Sequence, residues 1–278
     1  MQDSYAHCEA VVRAADKDRF LGALFAPAEQ RWHLYALYAF NSEIVRVREL
    51  AHEALPGEIR LQWWRDVLGG EARGEVSANP IAAALLDTIS TCGLSLDPLI
   101  RLIDAHAFDL YDDAMATLAD LDTYARDTDG TLMSLAARVL GGDEAATGAA
   151  ANACVAYAVT SRLRSFPADV ARRQMFVPLE LLDRHGVARV AIEAHQDSPE
   201  LRAALAEMRA YAERAFAAFR HAATDIPERC APAFLAAAVV PAWLAKLDRV
   251  ADPFGTVELP QWRRQWIIWR AARRWPRL

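Results

Sequence analysis

Between Arg31 and Glu49 the chain reads RWHLYALYAFNSEIVRVRE, with apolar residues at Trp32, Tyr35, Ala36, Ala39, Phe40, Ile44 and Val47. This is the three-to-four spacing of one helix face, and it predicts a buried central helix. Polar residues arrive late, as Asn41, Ser42, Glu43, Arg46, Arg48 and Glu49. A helix that turns polar only in its last two turns fits two placements. It lines a cavity, or it is a core helix whose end reaches water.

The same period recurs along the chain. Residues 4–18 predict a first helix, followed by DRFLGALFAP, which ends at Pro27. Pro27 and Glu29 suit a first turn, so the central helix starts there, runs to about His52 and is broken by Pro56-Gly57. GEIRLQWWRDVLGG reads as a short amphipathic helix closed by Gly69-Gly70. Asn79 caps a helix to about Cys92, and Asp97-Pro98 starts another that runs to about Asp113. Residues 145–165 form an Ala-rich helix, and Pro199 to His221 another, with Tyr211, Ala215, Ala218 and Phe219 on its apolar face. The run from Cys230 to Ala245, CAPAFLAAAVVPAWLA, predicts a core helix kinked at Pro241. It is shorter than the roughly 20 apolar residues a bilayer span requires. Ala and Leu are abundant and Gly and Pro few, so the fold class is all-α. No repeat or linker divides the chain. One helical domain covers residues 1–255, and residues 256–278 form a basic helix appended to it.

Charge and composition remove several functions. The net charge of −6 gives no global signal for nucleic acid. The four cysteines are isolated and no two histidines stand four apart, which argues against a zinc site or a disulfide framework. The N-terminus carries acids early and has no apolar core of a secretion signal. The expected location is cytoplasmic, attached at most to the inner-membrane surface. The tail changes this picture. From Pro260 onward it holds six arginines, no acid and four of the eight tryptophans. Trp262, Trp266 and Trp269 recur at i, i+4 and i+7, with Arg263, Arg270 and Arg273 among the arginines on the remaining faces. Such a helix suits an anionic membrane surface or an acidic partner, or it packs its tryptophans on the domain and turns its arginines to water.

LYALYAFNSEIVRVRE resembles the stretch of the squalene/phytoene synthase family that carries its first aspartate-rich motif, Tyr-Ala-Phe-Cys-Arg-x-x-Asp-Asp-x-x-Asp. RLQWWRD resembles the segment that follows it, and LDTYARDTDG resembles a further family segment through Tyr124 and Gly130. LRSFPADVARRQMFVP is similar to the second motif, Leu-Arg-Asp-x-x-x-Asp followed by Gly-Arg-x-Tyr-Leu-Pro. The resemblance implies a single-domain isoprenoid synthase helical bundle around a central cavity. It also implies two prenyl diphosphates held by Mg²⁺ between two carboxylate clusters and joined head to head.

At the motif aspartates this chain has Val45, Arg46 and Glu49, then Ser165 and Asp169, and Phe176 replaces the tyrosine. Glu49 and Asp169 are what remains of the metal ligands. Two carboxylates hold Mg²⁺ poorly, and losing the cluster removes several kcal/mol of transition-state stabilisation. Asp104, Asp109, Asp112 and Asp113 offer a further acidic cluster, three of them at i, i+3, i+4, which is a metal site or a solvated surface. Asp129 would need a partner, Arg126 or Arg162, if it points into the cavity. Arg46, Arg48, Tyr124, Arg162, Arg164 and Phe176 are the cavity and phosphate-binding candidates. The arginines either take a phosphate or acidic head group directly or pair with Glu43, Glu49 and Asp169.

Two functions follow. DRFLGALFAP, AFNSEIVRVRE and LQWWRD look closer to a non-catalytic branch of the family that serves respiratory complex I assembly. That resemblance implies a binding or assembly role at a membrane surface, with no cofactor. Its partners would be an isoprenoid or lipid ligand, an anionic membrane surface or a respiratory-complex subunit. The alternative is a Mg²⁺-dependent prenyl transferase using Glu49, Asp169 and the Asp109–Asp113 cluster.

Overall fold

The computed structural model describes residues 1–51, 53–72 and 75–277. Among them the helical periodicity becomes fourteen α-helices and no strand. They are α1 (Gln2–Ala15), α2 (Lys17–Ala23), α3 (Ala28–Leu50), α4 (Ala54–Gly69), α5 (Pro80–Cys92), α6 (Leu96–His106) and α7 (Leu118–Ala125). There follow α8 (Thr131–Val139), α9 (Glu144–Ala171), α10 (Leu179–Arg184), α11 (Arg189–Glu193), α12 (Pro199–Ala222), α13 (Val240–Leu247) and α14 (Gln261–Arg274).

The central helix α3 buries Tyr35, Ala36, Ala39, Phe40, Ile44 and Val47, as its spacing predicts, while Trp32 stays partly in water near its start. α1 lies along α3, and α12 lies along α9. Tyr5 ties α1 to α5 and α3 through its hydroxyl, which donates to Asp87 at 2.6 Å and lies 3.0 Å from His33 Nδ1. Caps define several ends. Asn79 Oδ1 accepts from the Ile81 and Ala82 amides, Ser198 caps α12, and Gly70 closes α4 at φ +75°.

Several boundaries differ from those the sequence predicts. The first helix is two helices, divided at Asp16, whose carboxylate accepts from the Arg19 amide and starts α2. α3 ends at Leu50, and His52 lies outside the described residues. Pro56 and Gly57 sit in the first turn of α4, where a missing N–H costs no helical bond. α6 stops at His106, a 3₁₀ turn covers Ala107–Leu110, and Asp112 and Asp113 are not helical. α9 continues through Pro167 to Ala171 and keeps Phe166, Asp169 and Val170 buried. The run before Pro241 is not one kinked helix. It forms 3₁₀ turns over Glu228–Ala233 and Leu235–Val239, and Pro241 lies in the first turn of α13. On α12 the buried face holds Ala212, Phe216 and Phe219, and Ala218 faces water.

α14 packs on α2 and on the turn Leu235–Val239. Its buried residues are Ile268 and Ala271, clustered with Leu235, Val239, Trp243 and Leu259. Its tryptophans lie on the other side.

Candidate functional site

The polar end of α3 does line a cavity. A space of about 800 Å³ opens between α1, α2, the ends of α3 and α9, and α14. Asn41, Ser42, Val45, Arg46 and Glu49 come from α3, and Ser161, Arg162 and Arg164 from α9. The π-turn Arg126–Gly130 brings in Thr128 and Asp129. It packs tightly on α9, because a Cβ on Gly130 would stand 3.0 Å from the Cys154 sulfur.

Four carboxylates line this space, and each is engaged by a cation. Asp129 pairs with Arg19, not with Arg126 or Arg162. Arg19 is buried, and it also reaches Asp16 Oδ2 at 2.7 Å and lies 4.9 Å from the centre of the Tyr157 ring. Burial pulls its pKa down, but Asp16, Tyr157 and Asp129 outweigh that and hold it well above the usual value. Asp18 is buried too, and Arg264 of α14 grips it with two bonds, Nε at 2.8 Å and Nη2 at 2.7 Å. Burial pushes the Asp18 carboxyl up and Arg264 draws it back, leaving it raised. Glu49 is exposed at the rim and meets Arg172 at 3.3 Å.

The other motif carboxylate, Asp169, does not line the cavity. It is 4 % exposed, accepts from Ser165 Oγ at 2.6 Å and lies 3.7 Å from Arg162. The serine at the first aspartate position of the second motif thus donates to the aspartate that survives. Burial raises the Asp169 pKa, while Arg162 and Ser165 oppose the rise.

Cations are in excess around the space. Arg162 lies 4.5 Å from the centre of the Phe176 ring, and Arg164 stacks on Trp243 at 4.8 Å. Among the described residues Arg46 meets only Glu43, at 3.6 Å, and Lys17 joins these three in the wall. Arg48 is not in the wall. It points to Asp112 at 3.4 Å and to the Arg172 carbonyl. Phe176 is likewise buried outside the lining, against Phe108, Tyr124 and Arg162. Tyr124 does line the cavity, and its hydroxyl donates to Asp109 at 2.9 Å. Burial and the Asp109 charge raise its pKa well above the usual phenol value.

The acidic cluster after α6 is divided. Asp109 turns inward to His106 Nδ1 at 2.7 Å and to Tyr124, Asp104 pairs with Arg65, and Asp112 and Asp113 face water. The three acids expected on one helix face share none, because the helix ends before them. Hard Mg²⁺ needs several oxygen ligands in near-octahedral array. Among the described residues no three His, Cys, Asp or Glu side chains are grouped to hold one ion. Glu49 is taken by Arg172, Asp109 by His106 and Tyr124, and Asp169 by Ser165 and Arg162, so these residues as arranged do not fit a Mg²⁺ cluster.

Asp16, Tyr157 and Arg264 have no motif to mark them, and Asp18 and Arg19 open the stretch DRFLGALFAP without any role being legible there. The Arg264–Asp18 pair joins residues 246 apart. The one local sign is the charged run Asp16-Lys17-Asp18-Arg19 between two apolar stretches.

A family model described as squalene/phytoene synthase matches residues 12–270. Complex I assembly factor 6 of Rattus norvegicus is 29% identical over 249 residues, which cover 89% of this chain and 75% of that protein. The 15-cis-phytoene synthase of Synechocystis is 27% identical over 197 residues, 66% of this chain and 58% of that protein. Among solved structures, squalene synthase HpnC from Alicyclobacillus acidocaldarius superposes with a TM-score of 0.75. It has 25% identity and covers 91% of this chain and 95% of that one.

Proposed function

We propose that this chain, which belongs to the squalene/phytoene synthase family, works as a non-catalytic binding or assembly factor. The observation that carries the reading is that every carboxylate in the cavity wall is already engaged by a cation. Ionising an allylic diphosphate requires metal ions on free carboxylates to take up the leaving charge. Here a metal would first have to strip Arg19 from Asp129 or Arg264 from Asp18. The similarity to complex I assembly factor 6 supports a respiratory-complex subunit as the protein partner.

The cavity suits an anion taken without metal. Arg46, Arg162, Arg164 and Lys17 supply its charge, and the planar guanidiniums offer paired donors to phosphate oxygens. The head group of an isoprenoid or lipid phosphate is the ligand class this chemistry recognises.

Calorimetry with a farnesyl diphosphate analogue tests the cavity, and gene deletion in the host tests the role. Binding is expected to be indifferent to Mg²⁺ and to weaken about tenfold or more in Arg164→Gln. Deletion is expected to lower assembled complex I in the membrane fraction. Mg²⁺-dependent binding, with a head-to-head prenyl product that disappears in Asp169→Ala, would overturn the reading.

A further inference from the structure

Three of the largest exposed apolar side chains in the protein belong to one helix. Trp262, Trp266 and Trp269 on α14 are 69 %, 55 % and 43 % exposed. At i, i+4 and i+7 they form one ridge, and Trp266 and Trp269 stack with ring centres 5.0 Å apart. Arg273 lies over Trp269 at 5.6 Å, within the ridge itself. Arg263, Arg270 and Arg274 stand at i, i+7 and i+11, along one flank, and all three are exposed. The opposite side of the helix is fixed to the domain by Ile268, Ala271 and the Arg264–Asp18 pair. The ridge is therefore held outward.

We infer that the outer face of α14 is a docking surface for an anionic lipid bilayer. The helix is 14 residues long, about 21 Å, too short to cross a bilayer but suited to lying in its plane. No described helix is long and apolar enough to span a membrane. Tryptophan is the side chain that settles at the boundary between acyl chains and head groups, with its ring in the apolar layer and its N–H at the polar one. The guanidiniums beside the ridge then lie at the level of the lipid phosphates. From Pro260 to the end of the chain there is no acid to oppose them. The exposed arginines of α14 have no ion-pair partner among the described residues, in contrast to Arg264. A protein partner would need a pocket for each indole, whereas a bilayer accepts a convex ridge as it stands.

The test is flotation of the full chain with vesicles of phosphatidylcholine alone, or with about a third phosphatidylglycerol. The protein is expected to float with the anionic vesicles and to be released by salt. The triple variant Trp262→Ser/Trp266→Ser/Trp269→Ser should lose at least about tenfold in partition, with an unchanged circular-dichroism melt because these rings are exposed. Arg263→Gln/Arg270→Gln/Arg274→Gln should lose about fivefold per charge on anionic vesicles. Brominated acyl chains should quench wild-type tryptophan fluorescence more than that of the tryptophan variant. A wild type that stays unbound, or a folded tryptophan variant that floats equally well, would overturn the inference. Ridge-dependent binding to polyglutamate without vesicle binding would overturn it in favour of an acidic protein surface.

Discussion

Arg264 and Arg263 are neighbours on α14 and meet opposite surroundings. Arg264 is half-buried and grips Asp18 at the cavity wall with two bonds, while Arg263 is exposed on the flank of the tryptophan ridge. The contrast extends to both regions. In the cavity, acids and cations meet within hydrogen-bond reach, and the buried charges there persist because each has a partner. On the outer face of α14 cations gather with no acid, which is tolerable only where water or an anionic surface compensates them. In the cavity every acid is answered and a surplus of cations remains, whereas the outer face of α14 has cations and no acid at all.

The largest expected effect comes from breaking the ion pairs of the cavity. Arg19→Met leaves Asp16 and Asp129 without their shared buried cation and is expected to cost about 3–5 kcal/mol, read by urea denaturation. A loss comparable to that of an exposed arginine would show that Asp16 and Asp129 do not depend on Arg19 for their compensation.

Arg162→Met should cost less, about 2–3 kcal/mol, because the Arg162–Asp169 contact is 3.7 Å and Ser165 still donates to the carboxylate. It also carries a pH signature. The folded Asp169 carboxyl already holds its proton to a higher pH than the unfolded one does. Ionising it in the fold is therefore unfavourable, and stability falls as pH rises from the ordinary carboxylate value through the raised one. Without Arg162 that window extends upward, so unfolding midpoints should drop more between pH 4.5 and 7.5 than in wild type. Adding Asp169→Asn should abolish the extra slope.

The smallest of the three, Ser165→Asp, restores one motif acid and sets it against Asp169. It should cost about 1–3 kcal/mol through the lost donor and the like-charge contact. Millimolar Mg²⁺ should recover part of the lost melting temperature in this variant and shift the wild type little. An equal Mg²⁺ shift in wild type would show that the cavity is less closed to metal than its ion pairs imply.

Much of the fold was legible along the chain, because helical periodicity and caps are local. The apolar stripe of α3, the Asn79 cap and the Gly70 end follow from residues within a few positions of one another. The losses at Val45, Arg46 and Ser165 were legible too, since the motif fixes where carboxylates should stand. The course of α9 through Pro167 was not. A lone proline argues for a break, and only the buried surroundings of Phe166, Asp169 and Val170 hold the helix on to Ala171. The division of the acidic cluster was equally hidden, because it turns on where α6 gives way to a 3₁₀ turn.

By itself the sequence determined an all-α chain, a family motif stripped of most of its acids, and a basic helix with a tryptophan stripe. Tertiary structure alone decided which cation answers Asp129 and which way α14 faces. A helix carrying tryptophans on one side and Ile268 and Ala271 on another reads the same on paper in either orientation. Asp18 settles the rotation, because a buried carboxylate needs its cation and Arg264 can reach it only with the tryptophans turned outward. Two residues 246 positions apart set that outcome, and no local spacing encodes their meeting.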